Sequence, residues 1–368
     1  MNSSDVGTRL ERMTSQITDR LSMSFFFEKL YTTRQKRPPL KALILLSDLR
    51  IEEFEKIIRE RRKLAKTYSI NLTKLESDLY GLSLTKLVRK RTVKGFAIID
   101  LSHKGIWLVL CNEKSYFLKR ALERLFIALY PKISRLYLNY SQIRVLLDAI
   151  REAYEGQTTL TYFTIKREPK RTQSIFRERG TFQLWEENAE EELLRQSKDY
   201  RLTVDRVNFE VRDERNTLLL QAHISRRGIC KLRFGSFSTF YENVLLKAID
   251  LGLNWKRFYG HRERVIREGK IWLRPFRINY PFDLDERQLH RLADKISTSY
   301  SCSIVHGGNP YFVANLCDYQ DGSSFGVTAL GNIVTITPIT KGTHQAAWKL
   351  TNRIQEILGD GEIISVSG

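Results

Sequence analysis

Toward the end of the chain the spacing of apolar residues changes twice, and the changes outline a module. Asp283 to Ile296 puts Leu289, Leu292, Ala293 and Ile296 on one helical face. Four alternating runs follow, Ser301 to His306, Tyr311 to Asp318, Ser324 to Leu330 and Asn332 to Ile339, with Asn309-Pro310, Asp321-Gly322 and Gly331-Asn332 as the turns between them. The helical period then returns. Thr343 caps a segment in which Ala346, Ala347, Leu350, Ile354, Ile357 and Leu358 make one stripe, and Gly359 closes it. A helix, a four-strand meander and a helix predict an antiparallel sheet with helices on one face. The other face stays free, and a basic free face is a surface that holds nucleic acid.

The same style of patterning runs through the rest of the chain, which predicts an α+β protein of several domains, each with an antiparallel sheet covered on one face by helices. Residues 1–22 read as a flexible lead-in. After the apolar run Leu40 to Leu46, Ser47 or Asp48 caps a helix with Glu52 and Glu53 at its start and Arg59, Arg61, Arg62, Lys63 and Lys66 in its last turns. Gly95 to Asp100 and Ile106 to Leu110 form a hairpin, followed by helices from Ser115 to Tyr130 and from Ser141 to Tyr154. Thr158 to Ile165 opens a further strand, and Trp185 to Ser197 reads as a short helix. Tyr200 to Val211, Thr217 to Ile224 and Ile229 to Phe234 then read as strands, and a helix from Ser238 to Leu251 ends at Gly252. Helices starting near Ser115, Ser238 and Thr343 each follow strands, a recurring style without aligned residues. These patterns divide the chain into an N-terminal α/β domain over 23–156, a central α+β domain with basic loops over 157–280 and a C-terminal α+β domain over 281–368.

Charge narrows the function. The 368 residues hold 61 Lys and Arg against 42 Asp and Glu, a net charge of +19 that attracts polyanions. No apolar run approaches the length of a membrane span, and the N-terminus lacks the apolar core of a signal peptide. With Cys111, Cys230, Cys302 and Cys317 scattered, a cytoplasmic protein without a disulfide framework and without a membrane partner is expected.

The cations concentrate between Trp255 and Arg277. Lys256, Arg257, Arg262, Arg264, Arg267, Lys270, Arg274 and Arg277 alternate there with Trp255, Phe258, Tyr259, Trp272 and Phe276, and His261 lies among them. Cations with flat rings match a polyanion that carries stackable bases, DNA or RNA. The plain alternative is that the rings are buried in a strand near Ile271 to Ile278 and the arginines solvate a loop. Lys166, Arg167, Lys170 and Arg171 extend the basic track, and Lys90 and Arg91 join it from the N-terminal domain.

Enzyme signatures are sparse. The chain has no phosphate loop, no Gly-x-Ser-x-Gly elbow and no dinucleotide fingerprint, so neither a catalytic set nor a cofactor is expected. Cys302, His306 and Cys317 are the one attempt at a metal site, and they lack a fourth ligand. Phe96 to Leu110, an apolar strand ending in Asp100, then Ser102, a turn at Gly105 and a second apolar strand, resembles the first hairpin of ribonuclease H-like folds. That resemblance implies a metal-binding role for Asp100, with Glu113, Asp148 and Glu152 as the available further carboxylates.

The expected function is nucleic-acid binding through phosphate contacts, as a non-catalytic subunit beside a protein partner. A metal-dependent nuclease built on Asp100 is the first alternative, and a scaffold for an acidic protein is the second.

Overall fold

The computed structural model describes residues 16–33, 37–88, 91–155, 158–167, 181–184, 202–260, 265–267, 270–272, 274–307 and 311–366. These group into two compact units, the first mainly residues up to 165 with 204–253, the second mainly residue 254 onward.

The N-terminal unit is built around one strand. β1 (Leu40–Ser47) is buried along its whole length. It is followed by helices Ile51–Glu60 and Arg62–Thr67 and a meander of β2 (Tyr68–Glu76), β3 (Leu79–Val88), β4 (Arg91–Asp100) and β5 (Ile106–Cys111). Next come a helix in three pieces, Ser115–Phe117, Leu118–Leu122 and Glu123–Ala128, then β6 (Ile133–Arg135) and the helix Tyr140–Ala153. β7 (Thr158–Arg167), β8 (Thr181–Leu184), β9 (Leu202–Arg212), β10 (Leu218–Ser225) and β11 (Ile229–Phe234) complete the sheet in the order β2-β3-β4-β5-β1-β11-β10-β9-β7-β8. β1 is antiparallel to β5 on one edge, and shares its other edge between β11 and β6. The sheet therefore joins strands from both sides of residue 156.

Both faces of β1 are covered. Leu43 and Leu45 meet Phe54, Ile58, Trp107, Phe117 and Leu125 in one core. On the opposite face Gly252 comes so close to Ile106, Leu136 and Leu46 that a Cβ there would lie 3.1, 3.5 and 3.7 Å from them. Gly252 thus serves close packing and does not end its helix, as the sequence pattern suggested. That helix runs Phe237–Phe240, Tyr241–Leu246 and Lys247–Gly260. Its middle piece is a π-helical turn, as is Leu118–Leu122 in the helix that follows the other meander.

Three further differences have local causes. The helix expected after Ser47 is two helices, because Arg61 takes an extended backbone conformation with ψ 97°. Residues 68–88, whose pattern predicts no strand, form β2 and β3. Within the expected lead-in, Ile17 is 1% exposed and Arg20 starts a helix, Arg20–Tyr31, capped by Asp19.

The C-terminal unit follows the expected pattern closely. The helices are Glu286–Ser297, capped by Asp285, and His344–Leu358, capped by Thr343. Between them lie β15 (Ser301–Gly307), β16 (Tyr311–Asp318), β17 (Ser323–Leu330) and β18 (Ile333–Thr340). Gly331 turns β17 into β18 at φ +58°, a backbone region that glycine enters without strain. Two short pairs complete the unit: the ribbon of β12 (Val265–Arg267) and β13 (Lys270–Trp272), and β14 (Phe276–Asn279), which falls in the strand region weighed near Ile271 to Ile278, with the edge strand β19 (Glu362–Ser365), which the pattern does not predict. The sheet order β15-β16-β17-β18-β14-β19 repeats the path of the first unit. In each, a first strand leads into a helix, a four-strand meander and a second helix, and pairs antiparallel with the last strand of its own meander.

Candidate nucleic-acid interface

The stretch expected to stack bases has another use for its rings. Trp255, Phe258 and Tyr259 lie on the last turns of the helix Lys247–Gly260, and pack with Phe276 and Trp348 at centroid separations of 5.1 to 6.1 Å. Tyr259 is 1% exposed, so its faces meet protein. Trp255 and Phe258 are half-buried in the same cluster. Aromatic pairs in edge-on and tilted contact are an ordinary core arrangement, and here they form the core of the C-terminal unit.

The cations of that stretch divide. Arg257 is exposed and donates to Asn254 Oδ1 at 2.6 Å, and Lys256 is half-buried. Arg267 and Lys270 are paired in the backbone register of the β12–β13 ribbon. Arg274 is exposed, and Arg277 projects from β14. His261, Arg262, Arg264, Lys170, Arg171 and Lys90 lie outside the described residues. Lys166 and Arg167 end β7, and Arg91 begins β4 with an exposed side chain.

The free face of the C-terminal sheet is not basic. Helical cover falls on Phe312, Ala314, Leu316, Phe325, Val327, Val334 and Ile336. Period-two alternation then sends Val313, Asn315, Gly326, Thr328, Thr335 and Thr337 to the other face, where Arg277 pairs in register with Thr335. The surface is mainly neutral. The same period separates the proposed metal ligands: Cys317 pairs with Ser301, while Cys302 pairs with Leu316 on the helix-covered face.

Asp100 is likewise committed. It is 0% exposed, and its Oδ1 accepts from Arg20 Nη2 at 2.9 Å and from the Ser102 amide at 3.0 Å. The same guanidinium reaches Glu76 at 3.2 Å through Nη1, so a cation already lies between the two carboxylates. Tyr241 stands beside this pair. Burial, reinforced by the charge of Asp100, pushes its phenol up to about 12. Of the other carboxylates, Asp148 pairs with Arg151, and no cluster of three metal-ligating side chains occurs among the described residues.

What the structure does assemble is a cationic face in the N-terminal unit. Lys41 on β1 pairs in register with Lys231 on β11, Lys231 with His223 on β10, and His223 with Asn208 on β9. Side chains in register on neighbouring strands lie about 5 Å apart at their bases and share a face. Arg206 and Arg233 flank this row, and Lys119 reaches it from the π turn of its helix. Burial and then the like charges of Arg206, Lys41, Lys119 and Arg233 bring Lys231 down to about 8. Burial, with Lys231, Arg206 and Arg233, brings His223 to about 2, and its Nδ1 lies 3.0 Å from Asn208 Oδ1. Lys41 is fully buried, and its ammonium donates to the carbonyls of Pro39 and Glu113. Arg120 and Arg124 continue the charge along the helix to Lys86, which donates to the Arg120 carbonyl at 2.8 Å and has its charged form disfavoured by burial and then by both arginines.

No protein-family model and no curated protein matches the chain.

Elsewhere in the described residues, cations in such positions meet carboxylates: Arg135 with Glu123 at 2.9 Å, Arg212 with Glu210 at 2.6 Å, Lys349 with Asp318 at 2.9 Å. Lys119, Arg120, Arg124, Arg206, Lys231 and Arg233 make no salt bridge among the described residues. Sequence reading missed them because they come from separated segments that only strand pairing brings together.

Proposed function

We propose that this protein binds nucleic acid through phosphate contacts on the cationic face of its N-terminal unit. The observation that supports this reading is two sets of cations, Lys119, Arg206, Lys231 and Arg233 beside Lys41, and Arg120 and Arg124 beside Lys86, that have no salt-bridge partners among the described residues, in a chain that pairs comparable side chains elsewhere. Like charges held together cost free energy in the free protein, and a polyanion offsets that cost while releasing its own counterions. Arg257, Arg267, Lys270, Arg274 and Arg277 supply further positive charge from the C-terminal unit. Stacking by Tyr259 is not part of this reading, because its ring is buried.

The test is fluorescence anisotropy with labelled single- and double-stranded DNA and RNA across a salt series. Lys119, Arg120 and Arg124 are exposed, so reversing all three to Glu leaves the core intact. The expected result is an affinity on the order of a hundredfold lower at low salt, and a salt slope shallower by roughly two to three units. A triple variant with the slope of the parent protein removes the proposal.

A further inference from the structure

We infer that Arg206, Lys231 and Arg233, set above the buried floor of His223 and Asn208, form a seat for a single phosphate group. The inference deepens the nucleic-acid reading and rests on it only for the source of the phosphate.

The geometry is that of a built site. Arg206 and Ser225 pair in register two residues along the strands from Asn208 and His223, so Arg206 shares the face of the imidazole and of Lys231. The Arg206 Nε is buried, yet it has no hydrogen-bond partner among the described residues. A buried guanidinium N–H without an acceptor is costly, and an anion seated among these cations would supply one. Lys231 and Arg233 also lack a carboxylate partner among the described residues.

His223 is 4% exposed. Facing an amide oxygen, which only accepts, its Nδ1 carries the ring proton, and the neutral ring is held in place by Asn208. The floor is therefore polar, rigid and uncharged, and the charge sits on the side chains around it. Lys119, exposed on its helix, lies near enough for its charge to act on Lys231.

The number and kind of cations select the ligand. A carboxylate carries one charge in a plane and is satisfied by one guanidinium. Two guanidinium groups and an ammonium on one face, flanking His223, match a tetrahedral oxyanion with up to two charges and several acceptor oxygens. A terminal phosphomonoester and an internal phosphodiester share this chemistry.

Isothermal titration calorimetry with inorganic phosphate tests the seat, using the parent chain, R206Q, K231M and K231R. The expected result is binding to the parent and to K231R, weakened about tenfold or more in R206Q and K231M, as loss of a hydrogen bond to a charged group implies. K231M removes a repelled charge, so it retains the fold, and K231R separates loss of charge from loss of shape. No binding to the parent, or equal binding to parent, R206Q and K231M, overturns the inference.

Oligonucleotides of one sequence with and without a terminal phosphate distinguish the two sources. Tighter binding of the phosphorylated strand, abolished in R206Q, assigns the seat to an end. Equal binding that R206Q weakens assigns it to the backbone. If reversing Lys119, Arg120 and Arg124 leaves the salt slope of oligonucleotide binding unchanged while inorganic phosphate still distinguishes R206Q from the parent, the nucleic-acid reading fails and the seat stands.

Discussion

Arg20 and Asp100 meet at 2.9 Å across 80 positions of sequence, joining the helix Arg20–Tyr31 to the end of β4. The hydrogen bond to Asp100 holds the guanidinium more firmly protonated than usual. Because Asp100 is fully buried and Arg20 about one-third exposed, the consequence of breaking the pair is uneven. Removing Arg20 strands a buried carboxylate. Arg20→Ala is expected to lower stability by about 3 kcal/mol in urea denaturation, since losing one partner of a buried pair costs more than the pair contributes. Stability within 1 kcal/mol of the parent contradicts a structural role for the contact.

The burial of Lys231 among Arg206, Lys41, Lys119 and Arg233 has a consequence in alkaline solution. Lys231 gives up its proton near 8 when folded and near the ordinary lysine value of 10.5 when unfolded. Between those limits the unfolded chain binds more protons, so folding stability rises with pH across that window. Lys231→Met removes this rise and lifts Tm at pH 7 by about 2 °C, the shift expected from less than 1 kcal/mol after solvent screening. Phosphate affinity runs the opposite way. It weakens as pH passes 8 in the parent, and K231R flattens that step.

His223 sets an acid limit. Its folded value of about 2 lies below the ordinary 6.5, so the folded ring stays neutral while the unfolded ring takes up a proton. The associated stability is present above pH 6.5 and is lost as pH falls toward 2. The slope is up to about 1.4 kcal/mol per pH unit. Denaturation of His223→Gln at pH 7 and pH 5 should show a smaller difference than the parent. An identical difference excludes the ring as the source.

Gly95 on β4 lies under the ring of Phe117, where a Cβ would approach Phe117 Cδ2 to 2.6 Å. Both lie in the packed interior, so the ring has little room to move. Gly95→Ala is expected to cost about 2 kcal/mol or more through overpacking. Gly95→Ala with Phe117→Leu should recover part of the loss, and the pair is checked by a double-mutant cycle.

The C-terminal module was legible almost to the residue because its signals are local. Asp285 and Thr343 cap their helices, Gly322 and Gly331 take positive φ in the turns, and strict alternation aims Phe325 and Val327 at the helices. β2 was missed although Tyr68, Ile70 and Leu72 alternate with polar residues, because its outer face is largely exposed and its apolar content is low. β14 and β19 have four residues each, and each gains its partner from far along the chain. The site divided in the same way. The charge was plain in composition, but basic and aromatic residues side by side in sequence do not reveal which will be solvated, and Tyr259 turned inward. The row of Lys41, Lys231 and His223 exists only through registers that join distant segments.

The shared edge of β1 also governs the order of assembly. Leu45, Leu46 and Ser47 find β6 early, but Leu40 to Leu43 have no strand on that side until β11 has been made. A ribosome that has reached residue 156 has released an apolar strand with half of one margin bare, the kind of template on which nascent chains join each other. Any fragment cut at that point carries the same open margin. Lys41, within the half that waits for β11, is the one charge in the strand, and a charge at an open margin disfavours strand-to-strand addition.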